Sequence, residues 1–119
     1  GIASEGSSGQ MVLQSVDSTA NSVPSKADLV MLLEDSGSST TTLNTDIKGY
    51  ISRDSGTTFT QGTLVSEGTW GTNKKILAFH NLDISGQPSG TSMCYKITTH
   101  NQAIGTKETR VHATSMGWS

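Results

Sequence analysis

From Met11 to its last residues the chain alternates short β-branched or aromatic runs with clusters of Gly, Ser, Asn and Pro. Runs of that length bounded by turn residues are strands, and no stretch of helical period is left that is long enough to carry the chain between parallel strands. The runs fall at residues 11–16, 28–34, 42–54, 59–67, 75–84, 92–99 and 108–118. A chain of 119 residues encloses one core and not two. The expected fold is therefore all-β, an antiparallel β-sandwich of jelly-roll or Ig-like type with about seven to eight strands over residues 11–119. Residues 1–10, Gly- and Ser-rich, are expected to form a flexible lead-in, and a start at Gly1 instead of Met points to a fragment or processed product.

Side-chain alternation assigns faces within these runs. In 42–54, Ile47, Gly49 and Ile51 share one side, with Lys48, Tyr50 and Ser52 on the other. Leu29 to Leu33 is continuously apolar, as in a central strand. In 75–84, Ile76, Ala78, Leu82 and Ile84 are grouped on one face and Leu77 and Phe79 on the other. In 92–99, Met93, Tyr95 and Ile97 point one way. Trp118, one residue from the end, is expected to be pinned against the domain. Ser and Thr occupy 35 of the 119 positions, a bias that suits half-exposed pleated surfaces better than helices.

Charge and cysteine content remove whole classes of function. The net charge is −2 and the eight basic residues are scattered apart from Lys74 and Lys75, whereas gripping a phosphate backbone needs clustered cations. No nucleic-acid partner is expected. No apolar run approaches a bilayer-spanning length, so no membrane partner is expected either. Cys94 is the single cysteine, which excludes an internal disulfide and a multi-thiolate zinc site. It reads as a small core residue, with a reactive or intermolecular role as the alternative.

One local motif is sharp. Ser52-Arg53-Asp54-Ser55-Gly56-Thr57-Thr58-Phe59 has the spacing of an Asp-box, a structural hairpin. Asp54 is expected to accept backbone hydrogen bonds across the turn, Gly56 to supply a permissive φ, and Phe59 to anchor the returning strand, with Ser52 and Thr58 completing the motif. Asp-boxes occur in several copies in sialidases, away from the catalytic centre. A single copy marks a fold and not a reaction.

Catalytic constellations are not assembled by the sequence. Acid/base glycoside hydrolysis needs paired carboxylates, and a sialidase needs an arginine cluster as well; Arg53 and Arg110 are the only arginines. Glu34, Asp35, Asp46, Asp54, Glu67, Asp83 and Glu108 sit mostly at strand ends beside turns, where carboxylates bond backbone N–H groups. His80, His100 and His112 lie on three separate segments without metal-ligand spacing. No catalytic residue, metal or cofactor is expected, and the chain is read as a non-enzyme. Trp70, between two glycine-rich turns, either closes a loop over the core, contacts a partner or stacks on a sugar.

Several segments together carry a family likeness: Asp46-Ile-Lys-Gly-Tyr-Ile-Ser-Arg-Asp54, Val65-Ser-Glu67, Gly68-Thr-Trp-Gly-Thr-Asn-Lys-Lys-Ile-Leu-Ala78, and Asp83-Ile-Ser-Gly-Gln-Pro-Ser-Gly-Thr-Ser-Met93. With the closing Arg110-Val-His-Ala-Thr-Ser-Met-Gly-Trp118, they resemble a recurrent β-sandwich domain of virion structural proteins of tailed phages, marine ones especially. The run from Asp83 to Ser92 is its most specific piece, and the likeness extends over roughly residues 11–119. The resemblance implies a place on the particle surface, in a tail fibre or appendage or as a capsid decoration. It implies symmetric homo-oligomers with other virion proteins as partners, and transfers no catalytic residue. The alternative is a carbohydrate-binding receptor-recognition module for a host surface glycan, with Trp70, Tyr50 and Tyr95 as the contact residues.

Overall fold

The computed structural model describes Ala3–Ser4, by backbone, and residues 11–119. Ten strand segments follow in chain order: β1 (Ala3–Ser4), β2 (Met11–Gln14), β3 (Ser18–Thr19), β4 (Lys26–Asp35), β5 (Ile47–Ser52), β6 (Thr60–Gly62), β7 (Val65–Gly71), β8 (Lys74–Asp83), β9 (Ser92–Thr99) and β10 (Thr109–Trp118). One antiparallel sheet has the order β1-β10-β4-β8-β7; the other runs β2-β9-β5-β6, with β3 also on β9. The two sheets pack together as a β-sandwich. Of the expected lead-in, only Ala3–Ser4 is described, paired with Val111 and Arg110 of β10; the remainder lies outside the described residues.

Alternation accounts for the core. Ala27, Leu29, Met31 and Leu33 of central strand β4 are buried, and meet Ile47 and Ile51 of β5 and Met93 and Ile97 of β9 from the facing sheet. Val30 and Leu32 project from the outer side of β4 and are only half-buried. At about 25 cal/mol per Å² of apolar surface withdrawn from water, these large side chains drive the association of the two layers.

Three expectations are corrected. The run at 59–67 is not one strand: β6 belongs to one sheet and β7 to the other, and the chain crosses between layers at Thr63 and Leu64. Asn44 holds the corner, its Oδ1 accepting from Leu64 N at 2.8 Å and its Nδ2 donating to the Leu64 carbonyl at 3.0 Å. In β8 the register against β4 shifts between Phe79 and Leu82, where Asn81 adopts φ 56°. The extra residue inverts the alternation, so Leu77 and Phe79 share the core with Ile84, and Leu82 packs against it, while Ile76 faces outward. Trp118 is tied by backbone pairing to Ala27, yet its side chain stays 36% exposed.

A buried polar cluster closes the sandwich at the end holding the last residue of β4. Asp35 accepts from the N–H and hydroxyl of Thr41, whose Oγ1 lies 2.6 Å from Thr109 Oγ1. Gln102 donates to that Thr109 hydroxyl and accepts from Thr109 N at 2.8 Å. Nearby, Asp46 receives Lys107 Nζ at 2.8 Å, Asn101 Nδ2 at 2.9 Å and Thr42 N at 2.8 Å. Burial disfavours the Asp46 carboxylate, but these donors outweigh that and hold its pKa below the ordinary carboxylate value.

Candidate functional site

The Asp-box forms a compact turn after β5. The Ser52 hydroxyl donates to Asp54 Oδ1 at 2.7 Å and accepts from Gly56 N at 2.9 Å. Asp54 Oδ1 also accepts from Thr58 N at 2.8 Å, and these bonds overcome its desolvation and lower its pKa. Ser55 and Gly56 both take left-handed φ, 61° and 86°; glycine removes the steric cost at the second position, while Ser55 bears its own. Phe59 is half-buried and meets Tyr50 edge-on, with ring centroids 6.4 Å apart. Lys96 Nζ sits 4.5 Å from the Tyr50 centroid and 4.3 Å from that of Phe59, within cation–π range.

Between Ser52 and Asp54, the side chain of Arg53 turns inward and is only 5% exposed. Its guanidinium donates Nε to the Pro88 carbonyl at 3.1 Å, Nη1 to Pro24 at 2.8 Å, and Nη2 to the carbonyls of Ser85 and Gln87. The Gln87 side chain returns the grip, accepting from Arg53 N at 2.9 Å and donating to the Ile51 carbonyl and Thr60 Oγ1 at 2.8 Å each. The segment Ser85-Gly-Gln-Pro-Ser-Gly90 is thus wound around one buried cation. Gly90 lies so close that a Cβ there would collide with the Arg53 carbonyl oxygen. Sequence reasoning missed this role because the acceptors are backbone carbonyls up to 35 residues distant.

The three aromatic contact candidates occupy different places. Trp70 is half-buried beside the outer surface of the five-stranded sheet: Nε1 donates to the carbonyls of Leu33 at 3.2 Å and Lys75 at 3.1 Å. His112 meets its edge with centroids 5.1 Å apart, and Lys74 Nζ lies 4.8 Å above the ring. His112 in turn bonds Glu34 at 2.6 Å, and this bond, ahead of nearby cations, lowers the Glu34 pKa. Tyr95 packs against the core with its hydroxyl bonded to Thr114. Tyr50 lies on the outer face of the four-stranded sheet, opposite the buried Ile47 and Ile51. The structure does not bring the three together.

A groove of about 490 Å³ opens beside the β8 bulge, lined by Thr63, Val65, Phe79, His80, Asn81, Leu82 and Asp83. On its rim, His80 Nε2 is 2.8 Å from Glu67 Oε2 and Nδ1 is 3.7 Å from Asp28 Oδ2. The Glu67 bond, followed by its charge, raises the His80 pKa. Bonded to Glu67 through Nε2 and within ion-pair distance of Asp28 through Nδ1, this imidazole bridges β7, β8 and β4. Among the described residues the other carboxylates are bonded as well: Asp17 to Ser55, Asp83 to Ser85, Glu108 to Gly105 N. His100 has its pKa lowered by burial and by Lys48. Cys94 is fully buried, and burial first, then Asp17, pushes its thiol pKa up. Among the described residues no group of three or more His, Cys, Asp and Glu is placed to hold a metal ion, and no helix is long and apolar enough to cross a membrane.

No family model, no curated protein and no solved structure matches the chain.

Proposed function

We propose that this chain is a non-enzymatic structural domain of a phage particle, working in symmetric copies at the particle surface in a tail appendage or as a capsid decoration. The sequence likeness motivates the location, and two of its segments, residues 46–54 and 83–93, contribute opposite sides of the Arg53 clasp. The observation that carries the assembly role is the outer edge of β10. Beyond Val111, among the described residues, positions 113–118 have no strand partner on that side. They contain Ala113, Thr114, Ser115, Met116, Gly117 and Trp118, with no charge or proline, and the register shift of β10 falls at their head, between Val111 and Ala113, with none beyond it. Monomeric proteins commonly guard such edges with charges or bulges, as β7 here is guarded by two register shifts. An unguarded edge suits pairing with another subunit in a closed symmetric array.

Light scattering across a concentration series, with electron microscopy of the chain and of candidate particles, tests this. Discrete oligomers are expected, and Ser115→Lys, which puts a charge on the exposed edge, should dissociate them. A strictly monomeric chain found in no particle overturns the proposal.

A further inference from the structure

The outer face of the four-stranded sheet presents polar and aromatic side chains in strict register. Gln14 of β2 is paired with Lys96 of β9, Lys96 with Tyr50 of β5, and Tyr50 with Gln61 of β6. An amide, an ammonium, a phenol and a second amide therefore cross all the strands of the sheet in one line. At about 4.8 Å between neighbouring strands, that line is roughly 14 Å long. Val12 and Lys48 stand in the adjacent row, both opposite Thr98. Phe59, delivered by the Asp-box, forms a wall beside Tyr50.

The cations of this face stand outside any ion pair. Among the described residues, neither Lys48 nor Lys96 has a carboxylate within ion-pair distance, although Lys107 does. Asp17 and Asp54, bonded to Ser55 and to Ser52 and Thr58, keep their charge at the Asp-box border of the face, so the positive character is confined to the ground around Lys48 and Lys96. Gln14 and Gln61 are exposed, and the Tyr50 and Lys96 side chains are half-exposed. The chain as a whole is negative, so this local positive character is set against the general field.

We propose that the row Gln14, Lys96, Tyr50 and Gln61, with Lys48 and Phe59 beside it, is a binding face for an acidic oligosaccharide bearing carboxylate or sulfate groups. Each terminal amide offers a donor and an acceptor, Gln14 through its carbonyl oxygen and the N–H that its contact with Cys94 Sγ at 4.0 Å leaves over, the combination that vicinal hydroxyls require. The lysines supply the complement to the acidic groups, and because Lys96 Nζ is held over Tyr50 and Phe59, an acidic group drawn to it is brought beside the exposed parts of the aromatic pair. Two cations are too few for a phosphate backbone. This face goes beyond the assembly role and does not depend on it, since β10 lies in the other sheet.

The test uses the 119-residue chain against uronate-bearing, sulfated and neutral oligosaccharides and a DNA duplex, with amide chemical-shift mapping at low and high salt. Salt-sensitive binding to the uronate or sulfated set is expected, with the largest shifts at Gln14, Tyr50, Gln61 and Lys96; which set binds identifies the acidic group. Lys48→Gln combined with Lys96→Gln should weaken binding by about tenfold, while Lys74→Gln with Lys75→Gln on the other sheet leaves it unchanged. If the double variant fails to fold, shift mapping on the unaltered chain and Lys48→Gln alone decide the matter. No binding to acidic sugars at millimolar concentration, shifts elsewhere, equal binding by both double variants, or binding to DNA alone overturns it. Particle incorporation is read separately, so loss of this proposal leaves the assembly role standing.

Discussion

Replacing Arg53 by Ala removes the donor that joins three loops. The carbonyls of Pro24 and Gln87 lose buried hydrogen bonds, while those of Ser85 and Pro88 lose partly buried ones that water can replace. Each buried acceptor left without a partner costs about 1–3 kcal/mol, or roughly 2–6 for the pair. Lost packing of the aliphatic stem adds about 0.8 kcal/mol per buried methylene. Release of a desolvated cation offsets about 3 kcal/mol of this, leaving an expected loss of about 1–5 kcal/mol. For a domain of this size, that lowers the melting temperature by roughly 4–20 °C. Arg53→Lys, which keeps the charge but cannot fork to four carbonyls, should lose about half as much. Urea unfolding followed by circular dichroism gives both values, and repeating it at high salt separates buried from exposed electrostatics because only the latter is screened. A loss below about 1 kcal/mol for Arg53→Ala, the range of ordinary surface changes, would refute the clasp as a stabilising element.

Other tests follow from the same geometry. Gly90→Ala drives a Cβ into the Arg53 carbonyl and should cost about 2 kcal/mol or more, whereas Gly86→Ala, with open space around it, should stay within about 0.5 kcal/mol of the parent; equal effects would remove close approach as the reason for Gly90. Because the folded-state pKa of Asp46 is lowered, its contribution is present above about pH 4 and is lost as pH falls through that depressed value. Asp46→Asn should thus cost about 1–3 kcal/mol at pH 7, with the difference from the parent vanishing in acid; a difference that is constant down to pH 2 contradicts the assignment. The fully buried Cys94 should react with a thiol reagent at least about a hundredfold more slowly than in urea-unfolded chain. Native-state labelling at the unfolded rate would show the thiol is accessible.

The architecture was largely legible because most strands keep a clean period of two. Ile47 and Ile51, then Met93 and Ile97, reach the core from the faces that alternation assigns, and the continuous run at Leu29–Leu33 is a central strand, as its apolar character implies, with Leu29, Met31 and Leu33 inward. The failures occur where geometry departs from that period without an obvious punctuation mark. Gly62-Thr63-Leu64 changes sheets with no Pro or Asn-Gly signal, and Asn81 inserts a bulge inside an apolar run. Asparagine was the available clue: Asn44, Asn73, Asn81 and Asn101 all have positive φ, a conformation that Asn tolerates better than most residues. The Asp-box was readable because its partners lie within a few residues. Arg53 and the row from Gln14 to Gln61 were not, since one depends on distant carbonyls and the other on strand register.

The passage at Thr63 and Leu64 has a mechanical consequence. Tension on the chain passes there directly from one layer to the other, through a link too short to stretch and gripped on both sides of Leu64 by Asn44. A force that slides the layers past each other loads this corner together with the ladders, so the Asn44 grip adds a brace where the two layers are joined by the least chain.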